Sequence, residues 1–272
     1  MRDVAVIVPT LFERGDMLER CIGSIREISQ DISVVVVGPN AKSNIGQLSG
    51  SVDLVIDEHK GSNLPAAVNQ AVRELPDRIK FATWIGDDDF FQPRGARAVL
   101  EGLRADNNAV LAFGSCDYIN RSGQVIGKNL SGQWATWVMR FGPLLVPQPG
   151  SFFRRDSFEL VGGLDPSFSL AFDFDLFLRL SSVGKLQFIN VTAASFCWHP
   201  SSLTVMNRKK SVDEASLARL KNASGSMRLL IGLLNPLVSI ATRLAASLLE
   251  LKNREKIKYS SQHPKIRNRR KS

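Results

Sequence analysis

What most limits the folds open to this chain is an alternation of wholly apolar runs with one-sided helical patterns. Val4 to Val8 is an apolar, mostly β-branched run closed by Pro9, and a run without polar alternation reads as a strand covered on both faces. Behind it Met17, Leu18, Cys21, Ile22, Ile25 and Ile28 recur at helical spacing, which predicts an amphipathic helix over 16–28. Ser33 to Val37, ended by Gly38 and Pro39, and Val52 to Ile56 read as the second and third strands. Leu64, Ala67, Val68, Ala71, Val72 and Leu75 return to helical spacing, and Ile79 to Ile85 reads as a fourth strand. Pro93 stands where proline suits the first turn of a helix carrying Ala98, Val99 and Leu103. Ala109 to Phe113 makes a fifth strand. The pattern specifies an α/β fold, a mostly parallel sheet with helices on both faces. In such sheets ligands sit at the carboxyl ends of the strands.

From about residue 115 the pattern loosens. Tyr118 to Val125 reads as a hairpin around Arg121, Ser122 and Gly123, and residues 131–149, with Trp134 and Trp137, read as a mobile segment. Gly150 to Arg154 predicts a short strand, Phe172 to Val183 a helix stopped by Gly184, and Leu186 to Trp198 a final long strand.

Of 272 residues 44% are hydrophobic and 22% charged, an ordinary globular composition that excludes wholesale disorder and collagen-like or disulfide-scaffold classes. Cys21, Cys116 and Cys197 lie far apart without CxxC spacing, which points to a reducing compartment. Only Met1, Arg2 and Asp3 precede the first apolar run, so no export signal is expected. The charge-free stretch Leu229 to Thr242 holds 14 residues and includes Pro236, short of the roughly 20 that span a bilayer. The net charge of +9 is uneven: from Lys252 to Ser272 nine basic residues face one acid, leaving 26 basic and 25 acidic residues for the rest.

The sharpest local feature is Gly86-Asp87-Asp88-Asp89, directly after the fourth strand. Three adjacent carboxylates repel one another, so a cation is expected to offset them. A divalent ion bound by one or two carboxylates plus phosphate oxygens would do so; a solvated acidic loop capping the next helix is the other reading. Asp173 and Asp175 open a second acidic site at the start of a helix. Two residues apart they do not share a face, so Asp173 is the candidate general base, while Asp175 and Arg179, at i and i+4, form a supporting pair. His199, after the last strand, is a candidate metal or phosphate contact.

In chain order the strand Val4 to Thr10, Asp88-Asp89 with Pro93 four residues on, Gly150-Ser-Phe-Phe-Arg-Arg155, Val161-Gly-Gly-Leu-Asp165, Phe172-Asp-Phe-Asp-Leu-Phe-Leu-Arg179 and His199-Pro-Ser-Ser-Leu-Thr204 resemble the family 2 glycosyltransferases of the GT-A fold, over residues 3–205. The resemblance implies an inverting transfer of a sugar from a nucleotide diphosphate donor. It implies that Pro9, Thr10, Asn69, Asp87 and Asp88 border the donor, that Asp88 and Asp89, with His199, hold Mg²⁺ or Mn²⁺, and that Asp173 is the base. It also implies a glycan or lipid-linked acceptor chosen within residues 115–149 and near Gln148. The chain departs from the family pattern at Val37-Gly38-Pro39-Asn40, where relatives carry acids that read the nucleobase, and at Val68, Gly86 and Phe172. These departures leave the nucleotide open.

The domain organisation expected is a GT-A domain over 1–210, amphipathic or apolar helices over 211–251, and a basic, disordered tail over 252–272. Apolar faces followed by a polybasic segment suit a peripheral anchor on an anionic membrane, here the inner face of the cell membrane. Packing of these helices on the catalytic domain or on a second subunit is the alternative. The basic segment has one aromatic, Tyr259, and no reader fold, so nucleic acid is not an expected partner. Two other functions compete. A nucleotidyltransferase would need a glycine-rich, basic phosphate loop where the chain has Leu11-Phe-Glu-Arg-Gly15, and a catalytically degenerate scaffold or sugar-binding protein would account for the missing nucleobase acids.

Overall fold

Strand β1 (Val4–Pro9) turns Ala5 and Ile7 to one face of the sheet and Val4, Val6 and Val8 to the other, and all five are buried. The apolar run is thus the direct record of a two-sided core. The computed structural model describes residues 3–129, 131–198 and 207–225, and helical positions at 228–229, 231–233, 237 and 240. Its other strands are β2 (Ser33–Gly38), β3 (Leu54–Asp57), β4 (Phe81–Trp84), β5 (Phe90–Phe91), β6 (Ala109–Ile119), β7 (Val125–Lys128), β8 (Ser151–Arg154) and β9 (Lys185–Cys197). They form one sheet in the order β3-β2-β1-β4-β8-β6-β9-β5, with β7 paired to β6. The first four are mutually parallel. Beyond them β8 runs antiparallel to both β4 and β6, and β9 runs parallel to β6.

The helices are α1 (Gly15–Ile28), α2 (Ala41–Asn44), α3 (Leu64–Arg73), α4 (Pro93–Ala105), α5 (Ala135–Val138), α6 (Arg155–Leu160), α7 (Phe172–Val183) and α8 (Arg208–Asn222). Helices α1 and α4 cover one face, with Leu18, Ile22, Ile25, Val99 and Leu103 buried there. Helices α3 and α7 cover the other through Val68, Val72, Phe174 and Phe177. Helix α4 approaches β9 so closely that a Cβ on Gly95 would lie 1.8 Å from the Thr192 carbonyl oxygen.

The expected elements are present with three differences. The fifth strand runs on to Ile119, because β9 pairs with it along its length and the irregularities between Phe113 and Cys116 keep the two in step. The two-residue β5, too short to leave a periodic signal, pairs with β9. The stretch 131–149, read as mobile, is packed: Ala135, Met139 and Val146 are in the core, and Gln148 donates from Nε2 to the Trp84 carbonyl at 2.7 Å. All three cysteines are free and buried.

Helix α8 straddles the domain boundary expected at residue 210 and packs on α7, with Ala218 in the core. Among the described residues no helix is long and apolar enough to cross a membrane; residues 241–272, and with them the basic tail, lie outside the described residues.

Because the neighbour of Gly95 is backbone, Gly95→Ala should force α4 away from β9. A loss of about 1–3 kcal/mol is expected, read as a lower urea midpoint at unchanged slope.

Candidate active site

The chain leaves β1, passes outward through β2 and β3, and crosses back to β4 on the other side of β1. The crevice at the carboxyl ends of β1 and β4 is therefore the topological switch point, where open α/β sheets hold ligands. From β1, Thr10 donates its hydroxyl to Asp87 Oδ2 at 2.7 Å and its amide to the Val37 carbonyl at 2.9 Å. Phe12 sits at φ 61°, an unusual conformation for a bulky residue, and its N–H donates to Thr10 Oγ1 at 2.9 Å. Two residues on, Arg14 Nη1 reaches Asp87 Oδ1 at 3.1 Å and Asp88 Oδ2 at 2.7 Å.

Asp89 faces inward instead, and its Oδ1 accepts the Cys197 N–H from the end of β9 at 2.8 Å. Burial raises the pKa of Asp87, against the opposing pull of the Thr10 and Arg14 contacts. For Asp89 burial raises the pKa well above the ordinary range, with the Asp88 charge adding to it. Arg14 thus reaches two of the three carboxylates, Asp87 and Asp88.

The donor set suits a hard divalent ion. A Cβ at Gly86 would fall 3.0 Å from Asp88 Oδ1 and 3.3 Å from Asp89 Oδ2, so the missing side chain leaves a small cradle onto which two carboxylate oxygens converge. Mg²⁺ and Mn²⁺ are held in this way, by one or two carboxylates with phosphate and water completing the shell. Among the described residues no three His, Cys, Asp or Glu side chains assemble as a metal site. His199 lies outside the described residues.

The second acidic site opens α7. Trp84, the last residue of β4, meets Phe172, the residue before Asp173, with ring centroids 6.4 Å apart. Burial pushes the Asp173 carboxyl up to about 6, although the Phe174 N–H, at 2.7 Å from Oδ1, pulls it down. Among the described residues no cation pairs with Asp173. Its neighbour Asp175 is fully buried and differs in every respect: Arg179 contacts its Oδ2 through Nε at 2.9 Å and Nη2 at 2.6 Å, and Asn222 from α8 donates to its Oδ1 at 2.9 Å. The expected Asp175–Arg179 pair is formed.

Asn69 lies in α3 with both ends of its amide on Leu164, donating to the carbonyl at 2.7 Å and accepting the N–H at 2.8 Å. It ties the 161–165 loop to the helix bordering the crevice. Pro9, Thr10, Asp87, Asp88 and Asp89 therefore gather at one crevice, Asp173 opens α7 next to the Trp84–Phe172 contact, and Asn69 ties α3 to the 161–165 loop. Arg14 was not among the sequence candidates. The signal existed, since three carboxylates demand a cation and the loop after β1 must adjoin the loop after β4 in a sheet of this order.

No family model matches the chain. It is 25% identical to chondroitin synthase of Escherichia coli over 169 residues, 59% of this chain and 24% of that one. It is 20% identical to chondroitin synthase of Pasteurella multocida (strain Pm70) over 75% of this chain and 21% of that one. The chain thus spans about a quarter or less of the length of these relatives. Among solved structures, the mannosyltransferase PcManGT from Pyrobaculum calidifontis, in complex with GDP-Man and Mn²⁺, superposes with a TM-score of 0.62 at 14% identity, covering 97% of this chain and 81% of that one. S. aureus TarS in complex with UDP-GlcNAc superposes with a TM-score of 0.60 at 10% identity, covering 83% and 68%. The superpositions show that the chain has the GT-A fold of these glycosyltransferase structures.

Proposed function

We propose that the chain is an inverting, metal-dependent glycosyltransferase that moves a sugar from a nucleotide diphosphate donor to a glycan or lipid-linked acceptor in surface-polysaccharide synthesis. The observation that carries this reading is an acidic cluster at the carboxyl end of β4, with Asp88 and Asp89 oxygens converging beside Gly86, together with a raised carboxyl at the start of α7 that has no cation among the described residues. The polysaccharide synthases among its relatives support the substrate class, and the nucleotide sugars held by its structural neighbours support the donor class.

In this reading Pro9 and Thr10 border the nucleotide, and Asp87 and Asp88 face the donor. Asn69 keeps the adjoining loop in place. Asp88 and Asp89 would hold the divalent ion, with His199 as its further ligand, and the ion supplies charge stabilisation to the departing diphosphate. Arg14 keeps Asp87 and Asp88 in place and adds a fixed positive charge next to the leaving group. Asp173 takes the proton from the acceptor hydroxyl as that oxygen forms a bond to the anomeric carbon. The bond from that carbon to the diphosphate oxygen breaks, and its electron pair leaves with the nucleoside diphosphate. A single in-line displacement of this kind inverts the anomeric centre, by the geometry that separates inverting from retaining glycosidases.

Membrane association completes the reading. Leu229, Leu233, Leu237 and Ile240 are helical positions spaced by four, four and three residues, and each is more than half exposed. An apolar stripe followed in sequence by nine basic residues suits the anionic inner leaflet of the cell membrane.

Three sets of measurements test these statements. Asp173→Asn should abolish transfer and leave donor binding within about twofold of wild type. A protonated Asp173 cannot accept the hydroxyl proton, so kcat/KM of the wild type should fall as pH drops through about 6. A fully active Asn variant removes Asp173 as base.

Calorimetric titration with uridine, guanosine and thymidine diphosphates should show binding to one of them that requires Mn²⁺. That binding should weaken at least about tenfold, or about 1.4 kcal/mol, in Asp88→Asn. The absence of any Mn²⁺-dependent binding overturns the metal-dependent reading.

Removing residues 226–272 should release the protein from vesicles rich in phosphatidylserine, and raising the salt should weaken binding of the full chain. Equal sedimentation of the two proteins counts against the anchor.

A further inference from the structure

Helix α8 lies beyond the expected catalytic domain for most of its length, yet its polar side chains reach the base-bearing wall of the crevice. Glu214 Oε2 accepts three successive backbone N–H groups, from Ser169 at 3.0 Å, Leu170 at 2.7 Å and Ala171 at 3.1 Å. Successive amides turned onto one oxygen form the concave arrangement in which backbone holds an anion. These residues immediately precede Phe172 and Asp173, so the carboxylate also sits at the positive end of α7. Its side chain is only 13% exposed, and Lys210 Nζ stands 3.8 Å from the other oxygen.

Three further contacts fix α8 in place. Asn222 donates to Asp175, Arg219 Nη1 donates to the Gly142 carbonyl at 2.8 Å, and Lys221 pairs with Asp165. Removal of Glu214 would therefore take the acceptor from three amides without dislodging the helix that carries it.

We propose that Glu214 is a positioning residue for the transfer: its carboxylate holds the 169–171 turn, and that turn sets where Asp173 stands against the acceptor hydroxyl. The inference rests on Asp173 as the base. Nothing in the sequence motifs assigns Glu214 a part, and its partners lie 43 to 45 residues away.

The test uses the full chain with Glu214→Ala and Glu214→Gln, the glutamine keeping an acceptor oxygen without the charge. Amide hydrogen exchange at Ser169, Leu170 and Ala171 should quicken at least about tenfold in the alanine variant while residues 176–180 of α7 stay protected, which also shows that the variant is folded. Carbon-detected NMR titration should move Asp173 down from about 6 toward ordinary carboxylate values as its enclosure opens. The glutamine variant should fall between alanine and wild type in both readouts. Unchanged exchange, or an unchanged Asp173 titration, in Glu214→Ala overturns the proposal.

In turnover, Glu214→Ala should lower kcat between about tenfold and about a hundredfold with the donor KM held, the signature of a misplaced group in the chemical step. Unaltered kcat overturns the proposal in an enzyme that Asp173→Asn inactivates. If Asp173→Asn remains active, the base assignment fails on its own, and exchange and titration still decide whether Glu214 places Asp173.

Discussion

Repulsion among Asp87, Asp88 and Asp89 at the end of β4 is the constraint around which the crevice is arranged. Two like charges 4 Å apart repel by about 4 kcal/mol at the effective dielectric of a protein surface, and two of these three carboxylates are largely buried. The surrounding chain answers each in turn. Thr10 and Arg14 come from the loop after β1 to meet Asp87 and Asp88, and β9 is long enough to bring the Cys197 amide to Asp89. Gly86 contributes by having no side chain, since a Cβ there would press on the Asp88 and Asp89 oxygens. These contacts orient the cluster at the carboxyl ends of β1 and β4, the switch point of the sheet.

The opposite wall has a different construction. Helix α7 is apolar around most of its circumference, with Phe172, Phe174, Leu176, Phe177, Leu178 and Leu180 buried, so it cannot end in solvent and must be covered. Helix α8 supplies the cover, and its polar groups meet the polar groups that α7 and the preceding turn bury. This division of labour accounts for the extent of the packed body past residue 210: without α8 the face of α7 around Asp175 would be bare.

The parallel half of the fold was legible because each strand there is buried on both faces and records that in an unbroken apolar run, while each helix records its one buried face. The half around β5 to β9 was less legible for the converse reason. Antiparallel neighbours, register shifts along β6 and β9, and a strand of two residues leave no regular period. Within the site the acid triplet could be read because its chemistry is local in sequence. Asn69 was read as a donor neighbour, but only the structure reveals that its amide is engaged by Leu164. The Glu214 clamp was out of reach altogether, since backbone amides have no sequence identity and a glutamate on a helix is among the commonest of surface residues.

The carboxylates around α7 show how environment rather than residue type assigns a role. Asp165, whose partial burial would raise its pKa, is instead drawn down to about 2 by Lys221 and the Ser167 contacts, and it remains ionised across the physiological range. Asp175 is buried but matched by the Arg179 fork and by Asn222, a pairing in which loss of one partner would strand the other. Glu214 is met by three amides. Asp173 is half-buried where Asp175 is fully buried, and among the described residues it has neither a cation nor a cluster of donors beyond its local backbone; burial pushes its pKa up to about 6. A proton acceptor working near neutral pH needs a carboxylate that gains by taking a proton without being tied to a counter-ion. In this set that condition is met at Asp173, and it is met because the neighbouring charges are each satisfied elsewhere.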